Sequence, residues 1–327
     1  MKDKIKKIPF SKSLIYFFKR IGYIKYFISD YNFYKKHFIN SKTTINKIKY
    51  EILLIVHSLE KGMTNENPRP FGKRKSYDLM ALIKKYYKYN TKECFEIKLS
   101  INILREYIKF YKNNNLTQNE EYEKTKKFLE EFSYIENLDI ACKHIKKQDI
   151  LTNFDYDNFL ANRHSIRHFQ GEKLKDKDIE KAINAAIKSP SACNRQMCKI
   201  YYIKNTKNKE LIKNYGQGFG NFDLENVNLF LITFDMSSFY TIGERNQGWF
   251  NSGIIATNFI NALHSLGIGS CMVQFANKKK EEEIIKKALD ISASERIAVI
   301  IACGYYLDDN IVPASHRKNI SEYYTIK

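Results

Sequence analysis

Two runs constrain this chain more than anything else in it. "VNLFLITF", from Val227 to Phe234, and "IAVIIACG", from Ile297 to Gly304, are apolar at nearly every position. A half-exposed strand alternates apolar and polar residues. A continuous apolar run of this length suits a strand covered on both faces. The covering helices are legible nearby. In "DKDIEKAINAAIKSP", Ile179, Ala182, Ile183, Ala186 and Ile187 recur at helical spacing, with Asp176 expected as the cap and Pro190 as the stop. "NSGIIATNFINALHSLG" reads as a long helix turning Ile255, Phe259, Ala262, Leu263 and Leu266 inward, with Gly267 closing it. Glu281 to Leu289 is a further helix, and "KIYYI", Lys199 to Ile203, a short strand. The second half is therefore expected to be α+β, a central mixed sheet flanked by helices.

The first half has a different texture. Tyr77 to Tyr89, Phe95 to Tyr111 and Glu120 to Glu131 read as helices. The stretch "HSLEKGMTNENPRPFGKRKSYDLM", His57 to Met80, reads as a loop punctuated by Gly62, Pro68, Pro70 and Gly72. The division expected is a mostly helical, basic N-terminal extension over 1–153 and a second domain over 154–327. Of the net charge of +19, most lies early: residues 1–150 hold 32 Lys/Arg against 17 Asp/Glu. No groove-reading motif accompanies that excess, so nucleic acid is not expected as a partner. Lys12 to Phe38 mixes aromatics with lysines. It suits an amphipathic helix packed on the body, or one lying peripherally on an anionic membrane. The longest early apolar run, Leu14 to Phe18, is too short to cross a bilayer, and no signal-peptide pattern follows the basic start. The six cysteines form no C-x-x-C pair and no zinc spacing, which points to a reducing cytoplasm and no metal.

Four short segments carry the chemistry. In "RHSIRHFQ", Arg163, Ser165 and Arg167 alternate, so on extended backbone their side chains share a face and His168 takes the other. Two guanidiniums and a hydroxyl suit a phosphate dianion as well as a solvated basic turn. "SPSACNRQ", Ser189 to Gln196, offers small polar groups after a helix stop. In "LGIGSCMVQF", Leu266 to Phe275, Gly267 and Gly269 permit a close backbone approach to a ligand, but the G-x-G-x-x-G dinucleotide fingerprint is absent. "VPASHRKNISEYY" places Arg317 late, after the last strand. Cys193, Cys271 and His264 are read as packing residues.

The succession R-x-S-x-R, then P-S-x-x-N-x-Q, then L-G-I-G-S-C, a strand ending in G-Y and a late arginine resembles the nitroreductase family of FMN-dependent oxidoreductases. The resemblance spans roughly Asp155 to Tyr324. It implies a nitroreductase-like fold and a homodimer with the flavin at the subunit interface, its core the helix around Gly253 to Leu266. It also implies that Arg163 and Ser165, with His164 between them, hold the FMN phosphate. Arg167 would meet the flavin pyrimidine edge and stabilise the charge of the reduced ring. Pro190, Ser191, Ala192 and Asn194 would come from the partner subunit, and Met272, Val273 and Gln274 would pass the flavin N5. Ser315 and Arg317 would form a late phosphate clamp, where the family usually has Lys-x-Arg. Gln217 or Asn221 would supply the remaining flavin contact. The chain departs from the family pattern at Ala192, often serine, and at Phe275, commonly glycine.

The implied chemistry is ping-pong. NADH or NADPH gives hydride to the flavin, and an electron-poor small molecule then takes it, with no catalytic side chain required. "HSLEKGM" resembles an extension carried by relatives found near polysaccharide-synthesis genes. The alternative is therefore a catalytically weak flavin- or ligand-binding protein in a polysaccharide-synthesis complex.

Overall fold

The computed structural model describes residues 24–39, 44–65, 67–136, 138, 142, 154–215, 219, 222–275, 279–313 and 315–327. In the first half the described residues include the helices α1 (Ile45–Met63), α2 (Lys73–Tyr89), α3 (Phe95–Asn113) and α4 (Glu120–Glu130). Each buries one stripe. Ile48, Ile52, Val56 and Leu59 of α1 and Leu79, Ile83 and Tyr86 of α2 meet Ile97, Ile101, Leu104 and Tyr107 of α3 in one core. Each fully buried aliphatic side chain there contributes roughly 1.5–3 kcal/mol. The loop expected over His57 to Met80 is corrected: among the described residues only 64–65 and 67–72 lie outside the flanking helices. The glycine at 62 does not stop α1, which runs to Met63, and α2 already begins at Lys73.

Further helices are α5 (Tyr156–Asn162), α6 (Asp176–Ala186), α7 (Thr206–Tyr215), α8 (Gln247–Ser265) and α9 (Lys279–Ala288). The strands are β1 (Cys198–Ile203), β2 (Asn228–Asp235), β3 (Ile268–Gln274) and β4 (Glu295–Tyr305), in the order β1-β2-β4-β3. Neighbouring strands all pair antiparallel, which corrects the mixed sheet expected. Among the described residues the parallel element is one isolated bridge, Ser165 to Ser270.

Both apolar runs are central strands, and all eight residues of β2 are buried. Helices cover both faces, so burial here does not require parallel crossovers. On one face Phe230, Ile232 and Ile301 meet α6 and α8. On the other, Leu229, Leu231 and Ile300 meet Ile212 of α7 and Ile285 of α9.

Two boundaries differ from the sequence reading and one agrees with it. Asp176 is the first helical residue of α6, and Lys175 takes the cap position. There its carboxylate still favours the helix N-terminus through the macrodipole. Pro190 is not the stop either, because α6 ends at Ala186. At the other end of the domain, Gly267 follows α8 in the left-handed conformation (φ 72°), and its N–H donates to His264 O at 3.0 Å. This is the glycine C-terminal closure expected.

The segment 24–34 is helical and leads into a π-helical turn, Lys35–Ile39. Residues 1–23, which include the first part of the basic-aromatic stretch, lie outside the described residues. Phe33 is buried against Met197, Phe234, Met236 and Phe239. The Arg296 guanidinium lies 5.1 Å from the Phe33 ring and 5.5 Å from the Trp249 ring, and pairs with Glu282 at 2.9 Å. No helix among the described residues is long and apolar enough to cross a membrane.

Candidate functional site

The Arg163–Gln170 strip begins where α5 ends. Asp155 caps that short helix, its carboxylate accepting from Asn158 N at 3.0 Å, and Arg163 returns the backbone to an extended conformation. The strip then lies along the sheet. Ile166 N donates to Ser270 O at 2.9 Å and Gln170 N to Tyr305 O at 3.1 Å. Ile166 is buried, whereas Ser165 is exposed and Arg163 and Arg167 are half-exposed.

Two glycines admit this strip. A Cβ on Gly269 would lie 3.0 Å from the Ile166 side chain, and one on Gly304 would lie 2.6 Å from the Phe169 Cβ. The close approach expected at Gly269 is therefore made by Ile166, not by a ligand. "GSCMVQ" is correspondingly part of strand β3, with Cys271 and Val273 buried and Met272 and Gln274 exposed.

Charge accumulates here without cancellation. Neither Arg163 nor Arg167 has a carboxylate partner among the described residues, and the Arg167 Nη1 makes only a long contact, 3.4 Å, with Ser165 O. Burial pushes the Cys271 thiol up, while the Arg167 guanidinium, the Ser165 hydroxyl and Arg163 oppose that rise. The thiol is thus a packing group placed among these three residues. His264, on α8, packs its ring 4.9 Å from Phe159 and lies 2.9 Å from the Tyr306 hydroxyl. Burial lowers its pKa first, and the charges of Arg163 and His164 lower it further.

The Ser189–Gln196 segment is built differently. Asn258 Nδ2 donates to Ser189 Oγ at 2.7 Å, and Gln196 N donates to Ser191 Oγ at 3.0 Å. Ala192–Asn194 forms a 3-10 turn in which Cys193 and Asn194 are left-handed (φ 51° and 50°), as is Gln196 (φ 52°). Such backbone costs of order 1–3 kcal/mol per residue and persists where its surroundings over-determine it.

Arg195 does this. It is 1 % exposed, and its guanidinium meets the Glu244 carboxylate through two bonds of 2.8 and 2.7 Å. It also donates to Ser238 O at 2.6 Å and Ala192 O at 3.0 Å. Burial works to raise the Glu244 pKa, but Arg195 and the Tyr240 N–H outweigh it and hold the carboxyl below its usual range. Sequence reasoning missed Arg195, which looks like an ordinary surface cation between Asn194 and Gln196. Its partner lies 49 residues away.

These two halves do not meet within one chain. The residues flanking the turn border the start of α8: Ser189, Pro190, Ser191 and Gln196 share a cavity of about 130 Å³ with Asn251 and Ile255. Asn251 is 3 % exposed and its Nδ2 has no partner. The arginine strip borders the other end of α8 through His264, about 20 Å along a helix rising 1.5 Å per residue. Arg317 is exposed and donates to Ser315 O in its own turn, where Ser315 is left-handed. No described hydrogen bond joins it to the strip. Gln217 and Asn221 lie outside the described residues.

Residues 160–225 and 217–305 match the family model described as Nitroreductase family. No curated protein matches the chain. Among solved structures, an FMN-dependent nitroreductase from Clostridium difficile is 20% identical, with a TM-score of 0.42, covering 48% of this chain and 91% of its own. A nitroreductase family protein from Streptococcus pneumoniae is 21% identical, with a TM-score of 0.45, covering 53% and 100%. Another nitroreductase family protein from Clostridium difficile is 18% identical, also at 0.45, covering 53% and 98%.

Proposed function

We propose, from the match of residues 160–225 and 217–305 to the nitroreductase family model, that this chain is an FMN-dependent oxidoreductase drawing on NADH or NADPH. The carrying observation is the pair Arg163 and Arg167, half-exposed beside Ser165 and free of carboxylate partners among the described residues. Unneutralised guanidiniums next to a hydroxyl fit a phosphate dianion and a negatively charged ring edge. When bound, FMN supplies the hydride chemistry. The chain's part is to bind and orient. Arg163, Ser165 and, from its later turn, Arg317 hold the phosphate. Arg167 offsets negative charge, and Met272 to Gln274 wall the ring.

The Ser191–Asn194 turn belongs to the same site in a second copy of the chain. Two observations support this. The turn and the arginine strip sit at opposite ends of α8, and α8 leaves Phe250 66 % exposed beside Gly253, where an added Cβ would meet nothing within 4 Å. A two-fold axis across that face brings each turn toward the other chain's strip. The donor on Asn251 without a partner fits a polar ligand near the turn.

The division at residues 153/154 is part of this reading, with the basic segment before it available for peripheral contact with anionic membrane. Vesicle binding that salt does not weaken, or no binding at all, would remove that last element. The main test is the absorbance spectrum of the pure protein. It should be yellow and bleach on anaerobic addition of NADH or NADPH. A colourless protein that takes up no FMN overturns the reading. Bound FMN that no acceptor reoxidises favours a ligand-binding role in a polysaccharide-synthesis complex.

A further inference from the structure

A cleft of about 860 Å³ runs between the outer faces of α1 and α2 and ends at the Ala192–Asn194 turn. That size lies within the usual range for small-molecule sites, about 300–1,000 Å³. On α1 it takes Leu54, Ile55, Ser58 and Lys61, which share one helical face, and on α2 it takes Arg74, Asp78, Leu82 and Lys85, which share another. Cys193, Tyr240 and Glu244 close the end nearest the sheet.

The lining has two characters. Leu54, Ile55 and Leu82 are half-buried, an apolar floor left partly open among the described residues, and Tyr240 stands 67 % exposed at its end. Around that floor the charges do not cancel. Arg74 faces Asp78 at 3.7 Å, and Glu244 is already occupied by Arg195. Lys75 donates to the neutral Ser58 hydroxyl. Lys61 and Lys85 have no carboxylate partner among the described residues. Three lysines are thus set against one remaining carboxylate, Glu51.

The end wall is the second observation. It is the turn where left-handed Cys193 and Asn194 are held by a buried ion pair, a concentration of backbone strain of the kind that gathers at ligand sites. The helical extension thereby forms a walled approach to the turn that the reading above places at the flavin site of a second copy.

We propose that this cleft binds small anions with a flat apolar body and, resting on the oxidoreductase reading above, that such anions are the acceptor class. The lysines select the charge, while the apolar floor and Tyr240 select the flat body.

The test uses the full-length FMN-loaded protein and the double variant Lys61→Glu/Lys85→Glu, with Lys112→Glu on α3 as a control away from the cleft. KM is measured for 4-nitrobenzoate and for its neutral counterpart 4-nitrobenzyl alcohol. The ratio of the two values should rise about tenfold or more in the double variant and stay put in the control. An unchanged ratio in the double variant, or an equal rise in the control, overturns the proposal. A second arm needs no turnover. The sulfonated dye 1-anilinonaphthalene-8-sulfonate is titrated against the neutral N-phenyl-1-naphthylamine. If NAD(P)H fails to reduce the wild-type protein, the oxidoreductase reading falls, and this arm decides the cleft alone. Weakened binding of the sulfonate only, in the double variant only, upholds the anion site. Equal binding of both dyes by both proteins removes it.

Discussion

Arg195 shows how much one side chain can hold in place. Its guanidinium is buried, paired with Glu244 and bonded to two carbonyls. Removing one partner of such a pair leaves the other uncompensated, at about 3–5 kcal/mol. Arg195→Met should therefore lower the urea midpoint by that equivalent and release the strained turn, seen as weaker FMN retention by fluorescence. The same pair sets a pH dependence. Glu244 has a folded pKa below its ordinary value, so its contribution is fully present above about pH 4.3 and fades as pH falls through the lowered value. The stability difference between wild type and Glu244→Gln should be largest near neutrality and shrink as pH falls through the lowered value in parallel urea titrations. None of this was legible in "SACNRQ". The identity of Arg195 is plain there, but its burial depends on a carboxylate brought in by tertiary structure. The alternation of Arg163, Ser165 and Arg167 could be read directly, because spacing on extended backbone is a local property.

The two apolar runs announced themselves as elements because every position must be buried, and β2 and β4 are indeed the central strands. β3 did not. Gly269, Ser270 and Cys271 have little intrinsic strand preference, and their pairing comes from β4 on one side and the arginine strip on the other. α7 was missed for a related reason: in "TKNKELIKNY" the side chains buried are Lys209 and Ile212, too few for a visible stripe. The glycines of β3 and β4 make a sharper prediction. In Gly304→Ala the new Cβ meets the Phe169 Cβ at 2.6 Å, between atoms that no rotamer change can separate. We expect a loss of about 1–3 kcal/mol, with FMN affinity falling alongside, because the strip that carries the arginines must move off the sheet. Thermal melts with and without FMN measure both. A ligand-induced shift in Tm as large as that of wild type would show that the strip had not moved.

For the whole molecule, the basic N-terminal half and the α+β half were distinguishable by texture, but their contact was not. Phe33 under the Arg296 guanidinium, and Tyr50 reaching Asp235 at 3.5 Å, join residues that share no sequence pattern. The assembly of two copies can be tested without disturbing either. Gly253 faces open space, so Gly253→Arg should leave the urea midpoint of the single chain within about 0.5 kcal/mol. It should nonetheless shift the sedimentation coefficient from dimer to monomer and abolish FMN retention. A dimer that persists would move the interface elsewhere. The strip's pairing has one more consequence, in time rather than space. Ser165 waits for Ser270, and Gln170 waits for Tyr305, partners made more than a hundred residues later. Contacts so distant along the chain close slowly. The helices of the first half, whose core lies within residues 48–135, are complete on the ribosome long before then. The flavin cradle is accordingly among the last features a newborn chain acquires, and synthesis halted before β4 should yield a folded helical half unable to take up colour.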